Sequence, residues 1–404
     1  MTFLRFLAGA ARLIVRGNKA YYAWCAFLLV LIGAGTSAYV HQMREGLIVT
    51  NMRDPVSWAY YIGNFTFLVG IAAAAIMLVI PAYVYHWGPI KEIVILGELL
   101  AISAVVMCLL FVTVDMGRPD RAWHLLPGLG SLNFPMSILA WDVLVLNLYL
   151  LLNVAIVVYL LGKWFSGQPV NHAVLWPLVI LSIPLAVSIH TVTAFIYNGM
   201  IARPYWNAAI LAPRFLASAF CSGPAVLLML LQILRRMTRL KIQDAALWKV
   251  AELMAYSMAF NLFLTGAEIF KEYYSGGEHQ VYTQYYFLGI GEHRALVPYA
   301  WMSLLFDVVA FFLFLIPATR RNVITLNVGC LLIYTGVYIE KGVGLLIPGL
   351  TPDTLGEIYE YFPSKTEILV TAGIFSVGFL LYTIMLKVAV PVMLGEFKHG
   401  QSKA

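Results

Sequence analysis

Four acidic residues stand inside strongly apolar stretches of this 404-residue chain, in two pairs that share their local sequence. The segment GELLAIS at 97–103 reappears as AELMAYS at 251–257, and LAWDV at 139–143 reappears as LLFDV at 304–308. The four acids are Glu98, Asp142, Glu252 and Asp307. A carboxylate at mid-depth in a bilayer costs at least about 2.5–3.5 kcal/mol. Four such acids indicate a candidate proton path in a membrane protein built by doubling one helical bundle.

A single histidine, His190, adds a candidate redox site to the first half of this pattern. Of the eight histidines, it alone lies well inside a long apolar run. Asp142, in the preceding run, is predicted to lie at a similar depth, so we expect the two side chains to share a cavity. A histidine and a carboxylate both accept protons near neutral pH, which suits the oxidation of a quinol. Asp142 and His190 are therefore the candidate catalytic residues.

The neighbouring sequence contains aromatic and polar residues that could bind the flat ring and the isoprenoid tail of a quinone. Trp123, Phe134 and Trp141 can supply aromatic walls, and the loop DMGRPDRAWH at 115–124 can supply Arg118 as a polar contact. Together with Asp142 and His190, these residues are the candidate quinone-binding set.

Simpler interpretations of the same residues stay open. A lone intramembrane histidine commonly makes only an interhelical hydrogen bond. The arginines and aspartates of the 115–124 loop can form an interfacial salt-bridge cluster without binding a ligand. Glu268 and Glu340, each near the outer end of a predicted helix, are expected to be solvated.

The composition requires that membrane helices position these residues. Hydrophobic residues make up 61% of the chain and charged residues only 11%, whereas soluble domains carry roughly 25% charged residues. Runs long enough to span a bilayer lie near 20–40, 58–85, 91–114, 136–161, 174–197, 209–234, 247–270, 295–317, 323–346 and 367–394. The prediction is an all-α integral membrane protein with ten transmembrane helices.

The charge pattern predicts sidedness. The net charge of +6 describes topology and gives no indication of nucleic-acid binding. Most of the 26 Lys and Arg residues fall in the connectors and ends that share a side with the N-terminus, while the loops opposite are longer and more acidic. Both termini are therefore expected in the cytoplasm, and the helices are expected to cross the cell inner membrane. The first helix, which lacks a small-residue cleavage site, is expected to stay uncleaved.

The internal repeat predicts two four-helix bundles, formed by the second to fifth and the sixth to ninth spans. Further matches are FLVG at 67–70 with FCSG at 220–223, and IHT at 189–191 with IYT at 333–335. An even number of helices per unit makes the repeat parallel; coincidence within apolar sequence is the alternative. The expected division is into 1–57 with the first helix, 58–208 and 209–346 with the two bundles, and 347–404 with the last helix.

Haem, cluster and metal ligands are not predicted. A bis-His haem b needs two facing intramembrane histidines, and iron–sulfur clusters need cysteine ligands in close spacing. The four cysteines lie far apart in apolar runs and form no CxxC pair.

The motifs resemble those of a known family. The loop DMGRP at 115–119, followed by PMS at 135–137 and Trp141, resembles the NrfD/polysulfide reductase family of membrane subunits. The stretches HTVTAF at 190–195, RPYW at 203–206 and PRFLASAF at 213–220 are similar to its ten-helix branch. Within that branch, which also holds HybB hydrogenase subunits, the whole chain is most similar to DsrP-type subunits of sulfur metabolism.

The resemblance implies a subunit without haem or iron–sulfur cluster that binds menaquinone or ubiquinone near the outer face. Electrons would pass between the quinone and an exoplasmic iron–sulfur subunit of the DsrO type. A haem b membrane subunit, a triheme cytochrome c and a cytoplasmic iron–sulfur subunit would complete the complex. By likeness, Asp142, His190 and the Arg118 loop correspond to the quinone region, and Glu98 with Asp142 to a proton route. Tyr334 replaces His190 in the second half, which favours a single quinone site.

Two other function classes fit part of the pattern. A proton- or ion-coupled transporter also has a repeat with buried acids, but no helix is broken by Gly or Pro at corresponding points of both halves. A passive membrane anchor would use its buried acids only for structural pairing. Co-purification with an iron–sulfur protein would distinguish a quinone-binding redox subunit from a transporter. Binding of a quinone analogue would distinguish it from a passive anchor.

Overall fold

Ten long apolar helices dominate the structure. The computed structural model describes residues 2–72, 74–91, 93–126, 128–277 and 279–398. Regular structure in these ranges is helical, apart from one isolated bridge between Ile290 and His293. The helices long and apolar enough to cross a membrane are α1 (Lys19–Glu45), α2 (Tyr60–Val84), α3 (Val94–Asp115), α4 (Ile138–Phe165), α5 (His172–Asn198), α6 (Leu211–Met237), α7 (Asp244–Ser275), α8 (Val297–Leu315), α9 (Val323–Leu350) and α10 (Lys365–Met393). The prediction of an all-α, ten-helix membrane fold is confirmed.

Polar side chains fix where several of these helices begin. A side-chain oxygen of the residue before each of α1, α4, α5 and α9 accepts a hydrogen bond from a backbone N–H of the first turn; these residues are Asn18, Ser137, Asn171 and Asn322. Before α10, Ser364 and Glu367 form a capping box. Such caps satisfy N–H groups that the start of a helix leaves without partners.

Two helices depart from regular α geometry. The last turn of α2, Ile80–Val84, is a π-helix that contains Pro81. Helix α9 is interrupted at Gly342, whose φ of −83° and ψ of −95° are not helical, and it resumes as Val343–Leu350. The interruption in α9, which was not predicted, directly follows Glu340 and Lys341.

The helices pack into two groups with the same order of contacts. In the first group, α2 packs on α3, α3 on α4 and α4 on α5, and α5 returns to α2. In the second, α6 packs on α7, α7 on α8 and α8 on α9, and α9 returns to α6. The groups meet through α2 with α6, α5 with α6, and α9 with α2. This correspondence supports the proposal that the chain contains a duplicated four-helix unit.

Repeat-equivalent glycines lie where the two groups cross. A Cβ atom placed on Gly223 of α6 would lie 2.9 Å from the Gly70 carbonyl oxygen of α2, and one placed on Gly70 would lie 3.1 Å from Ser222 Oγ. Gly70 and Gly223 hold matching places in the predicted repeat, so their close approach fits a pseudo-symmetric crossing of α2 and α6. Small residues at such crossings allow two helix backbones to approach closely.

The remaining helices, α1 and α10, pair with each other outside the two groups. Gly35 and Gly373 face one another, since a Cβ on Gly35 would lie 2.7 Å from the Gly373 Cα. Helix α10 packs in turn on α3. Helix α1 is mostly exposed along its apolar length, as a helix at the lipid-facing edge should be.

Candidate functional site

Asp142 faces the interior of the first group, near the start of α4. The residue is only 5% exposed, and its carboxylate Oδ1 accepts a hydrogen bond of 2.9 Å from the Thr193 hydroxyl of α5. A buried carboxylate needs such a donor, because leaving it without one carries the full desolvation cost. Thr193 was not among the predicted residues. It lies three positions after His190, and this spacing on one helix face was the available signal.

His190 is buried on α5, one helical turn before Thr193. Its Nδ1–H donates a hydrogen bond of 2.7 Å to the Ala186 carbonyl oxygen, which can only accept. The neutral ring therefore has its lone pair on Nε2, which is buried and meets no partner of ordinary hydrogen-bond geometry among the described residues. Asp142 and His190 thus lie on two helices that pack against each other, α4 and α5. Thr193, on the same helix as His190, makes the hydrogen bond that links α5 to Asp142. The ring also lies close to the backbone of Val69 on α2, so Nε2 is a buried candidate proton acceptor between α5 and α2.

The predicted aromatic residues lie at the outer surface. The rings of Phe134 and Trp141 are 4.5 Å apart, and the Trp141 indole N–H donates a hydrogen bond of 2.9 Å to the Pro135 carbonyl oxygen. Both side chains are exposed. Trp141 directly precedes the inward-facing Asp142, so the aromatic pair borders the same turn of α4. Trp123 is also exposed, and its ring lies 3.8 Å from that of its chain neighbour His124, with the two planes tilted by 38°.

Arg118 lies apart from these residues. Its guanidinium forms an exposed ion pair of 2.8 Å with Asp120, and the hydrogen bonds from Arg118 hold the pKa of the Asp120 carboxyl below its usual value. Arg118 lines a groove with Tyr39 and Met43 at the C-terminal end of α1. The structure therefore favours the interfacial ion pair for Arg118 and does not bring it into contact with Asp142 or His190.

The acids of the predicted proton path differ in their surroundings. Glu98 on α3 is fully buried, and its Oε2 meets no hydrogen-bond partner in the described part of the chain. Glu252, expected to be its buried counterpart, instead has a side chain 26% exposed, 3.5 Å from Lys249 and 3.7 Å from Arg320. The prediction of burial was wrong for Glu252, because its side chain lies beside Lys249 of the same helix and Arg320, which follows the C-terminal end of α8.

The second group contains a buried charged network that the sequence reasoning missed. Arg214 on α6 forms ion pairs with Glu268 on α7 and with Glu340 on α9, the latter at 2.7 Å. Lys341 Nζ lies 3.2 Å from Glu340, and Asp307 on α8 is buried beside them. We call these five residues the Arg214 cluster. They surround a cavity of about 50 Å³.

The expected solvation of Glu268 and Glu340 was therefore wrong. Their side chains are 15% and 12% exposed, since Arg214 draws both into the interior from two different helices. A signal was present in the sequence: Arg214 near the start of an apolar helix and adjacent Glu340 and Lys341 inside another. An ionisable residue within a span is a candidate functional residue by default.

A second cavity lies between α2 and α9, close to the loop before α10. We call this cavity of about 200 Å³ the tyrosine cleft, and it is lined by Tyr60, Asn64, Tyr299, Tyr338 and Tyr361 among others. The Tyr338 hydroxyl donates a hydrogen bond of 2.9 Å to Asn64 Oδ1. The cleft is mostly apolar, large enough for an aromatic ring, and was not predicted.

The fold and these groups define a multi-pass integral membrane protein with ionisable residues held in its interior. The chain belongs to the polysulphide reductase NrfD family, whose model matches residues 48–353. This confirms the family that the loop and helix motifs indicated.

Related proteins cover nearly the whole chain. The chain is 27% identical to a Halobacterium salinarum protein named as a membrane component of a dimethyl sulfoxide reductase, over 89% of this chain and 88% of that one. It is 24% identical to a selenate reductase component of Mesobacillus selenatarsenatis, over 93% and 94%. It is 21% identical to the Hdr-like menaquinol oxidoreductase integral membrane subunit of Archaeoglobus fulgidus, over 91% and 92%. These relatives are parts of reductase or oxidoreductase complexes.

Proposed function

We propose that this protein is the quinone-interacting membrane subunit of an oxidoreductase complex of the cell inner membrane. Membership of the NrfD family supports this, as does the likeness to a protein named for menaquinol. Electrons pass between the membrane quinone, menaquinone or ubiquinone, and an exoplasmic iron–sulfur subunit of the DsrO type. A haem b membrane subunit, a triheme cytochrome c and a cytoplasmic iron–sulfur subunit also belong to the proposed complex.

The observation that carries the proposal is the pair of proton acceptors on α4 and α5. The Asp142 carboxylate is held by Thr193, and the buried His190 Nε2 has no hydrogen-bond partner of ordinary geometry among the described residues. When bound, a quinol supplies two protons and two electrons. His190 Nε2 is oriented by the hydrogen bond that Nδ1 makes to Ala186, so it can accept one proton without moving. Asp142 accepts the other.

The surroundings of the pair fit an apolar substrate that arrives from the bilayer. Phe134 and Trp141 present exposed rings beside the turn that carries Asp142, so a flat ring can stack there before it reaches the carboxylate. Thr193 keeps Asp142 aimed at α5, which limits the carboxylate to one orientation. Phe134, Trp141 and Thr193 are therefore positioning residues, while Asp142 and His190 are the proposed catalytic residues.

The remaining predicted acids are proposed as a proton route from this site. Glu98 lies buried nearer the opposite end of the first group, and water between the helices would have to connect it with Asp142. Asp307 belongs to the second group, and Glu252 lies in an ion-paired surface cluster there. Glu98 is therefore the stronger candidate for proton transfer that starts at Asp142.

The test compares matched variants in membranes from cells that assemble the complex. His190→Ala and Asp142→Asn should each abolish quinol-linked electron transfer while the complex still assembles. His172→Ala, on the same helix but exposed at its start, and Asp244→Asn, exposed at the start of α7, are the controls and should leave turnover unchanged. Normal turnover in assembled His190→Ala and Asp142→Asn protein would leave only interhelical hydrogen bonding for these residues, as in a passive anchor.

A further inference from the structure

The Arg214 cluster combines a closed set of charges with a small internal cavity. Arg214 and Lys341 bring two positive charges, and Glu268, Glu340 and Asp307 bring three acidic groups. Both glutamates are ion-paired, and Asn261 Nδ2 donates a further hydrogen bond of 3.3 Å to Glu340 Oε2. Asp307 is the third acid, and among the described residues it takes part in none of these ion pairs.

Asp307 lacks the hydrogen bond that its counterpart in the first half receives. Asp142 accepts from Thr193, which stands four residues after Ile189. In the second half the residue four positions after Ile333 is Val337, which has no hydroxyl. Asp307 Oδ1 lies against Gly336, and it is buried without a hydrogen-bond partner in the described structure.

The negative charge of a buried carboxylate costs free energy unless a nearby group neutralises it. Because Asp307 lines the cavity, that neutralising group must come from within the cavity. Every element around Asp307 contributes to its electrostatic surroundings. The cavity that Asp307 lines is also lined by Arg214 from α6, Thr265 and Glu268 from α7, Glu340 and Lys341 from α9, Tyr205, Thr283 and Tyr286 from the connections, and Ser303 from α8 itself. The two cations are already balanced by the two glutamates, so Asp307 is left with one negative charge to neutralise.

We propose that the Arg214 cluster is a proton-binding site, in which Asp307 holds one exchangeable proton that is supplied by water in the cavity. The cavity of about 50 Å³ has room for a few water molecules. The step is a single protonation: an O–H bond forms on Asp307, the donor water or hydronium ion loses that proton, and the cluster passes from one net negative charge to neutrality. No electron is transferred.

The proposed site goes beyond the quinone site and does not depend on it. The Arg214 cluster lies in the second group, whereas Asp142 and His190 lie in the first. The proposed site also accounts for the position of the interruption in α9. The break at Gly342 immediately follows Glu340 and Lys341, the two charged residues that α9 contributes to the interior. A monovalent metal cation such as sodium could neutralise the same charge, and the experiment distinguishes the two.

The test is infrared difference spectroscopy of the purified, quinone-free protein with its accompanying subunits in lipid nanodiscs. With aspartate labelled by carbon-13, the wild type should show a protonated aspartic acid carbonyl band that shifts in heavy water. Asp307→Asn should lose that band, while Asp244→Asn, altered at the exposed start of α7, should keep it. Arg214→Gln should add a protonated glutamic acid band, because the cluster then lacks one positive charge.

Each outcome decides the proposal. A wild-type band that survives unchanged in assembled Asp307→Asn protein, or a wild type that shows no such band even in sodium-free buffer, would overturn proton binding at Asp307. If Asp307→Asn fails to assemble, Asp307→Glu carries the test, because it keeps a carboxyl group at this position but must lose the labelled aspartic acid band; survival of that band would reject the proposal. Binding of a quinone analogue to Asp307→Asn, measured in parallel, keeps this result separate from the proposed quinone site.

Discussion

The Thr193 hydroxyl donates a hydrogen bond of 2.9 Å to the Asp142 carboxylate and thereby ties α5 to α4 at the proposed quinone site. Thr193→Val keeps the shape of the side chain and removes the donor. We expect the complex to assemble, since interhelical hydrogen bonds in membranes average only about 0.6 kcal/mol. We also expect quinol oxidation to slow several-fold, because Asp142 loses its fixed orientation.

The slowing in Thr193→Val should appear in the turnover number at saturating quinol, measured on the isolated complex. Thr191→Val, two residues away, is the matched control, because the Thr191 hydroxyl only bonds the Val187 carbonyl oxygen of its own helix. Equal turnover in the two variants would show that Asp142 needs no orientation by Thr193.

Arg214 should be far more important for stability than arginines at the surface. Arg214→Met leaves Glu268 and Glu340 buried without their common cation, and breaking a buried pair in this way costs about 3–5 kcal/mol. Arg235→Met removes a partly exposed ion pair with Asp244 and should cost at most about 1 kcal/mol. Thermal unfolding of both variants in nanodiscs measures the difference. Similar unfolding temperatures would mean that the Arg214 network is solvated in the membrane.

The contact between the two halves depends on small residues. Gly223→Val should disrupt the crossing of α2 and α6, because even a Cβ at this position lies 2.9 Å from backbone atoms of α2 that cannot move aside. Gly266→Val, on an exposed face of α7 where a Cβ meets nothing within 4 Å, should be tolerated. The yield of folded protein after size-exclusion chromatography compares them. Equal yields would contradict close packing at the crossing.

The sequence predicted the fold more fully than it predicted the candidate site. Apolar length and spacing predicted ten helices, because spanning a bilayer demands both and tertiary contacts hardly alter them. Burial of Asp142 and His190 was also predictable, since each stands in an apolar run. The pairing of Arg214 with acids on α7 and α9 was not, because it depends on which helices become neighbours.

Glu252 shows the same limit in the opposite direction. Its local sequence matches that of Glu98, yet the face of α7 that carries Glu252 is turned toward Lys249 and Arg320. A repeated motif fixes the position of a residue along a helix but not the neighbours that surround it. The hydroxyl of Thr193 and the tyrosine cleft escaped prediction for the same reason, since both depend on contacts between helices.

The predicted sidedness can be tested with reporters. A reporter fused to the C-terminal end should be active only in the cytoplasm, and one inserted between 279 and 294, in the connection between α7 and α8, only outside, because basic residues concentrate on the side of the termini. Activity of the loop reporter in the cytoplasm would reverse the orientation and move the docking face for the iron–sulfur partner to the other side.

The most direct test of the central claim is a cryo-electron microscopy map of the complex with a bound quinone analogue. We predict that the head group lies between α4 and α5, with one ring oxygen within hydrogen-bond distance of His190 Nε2 and the other near Asp142. Density for the same analogue should be lost in His190→Ala and retained in His172→Ala. A head group located in the tyrosine cleft between α2 and α9, with the α4–α5 region empty, would contradict the assignment of Asp142 and His190.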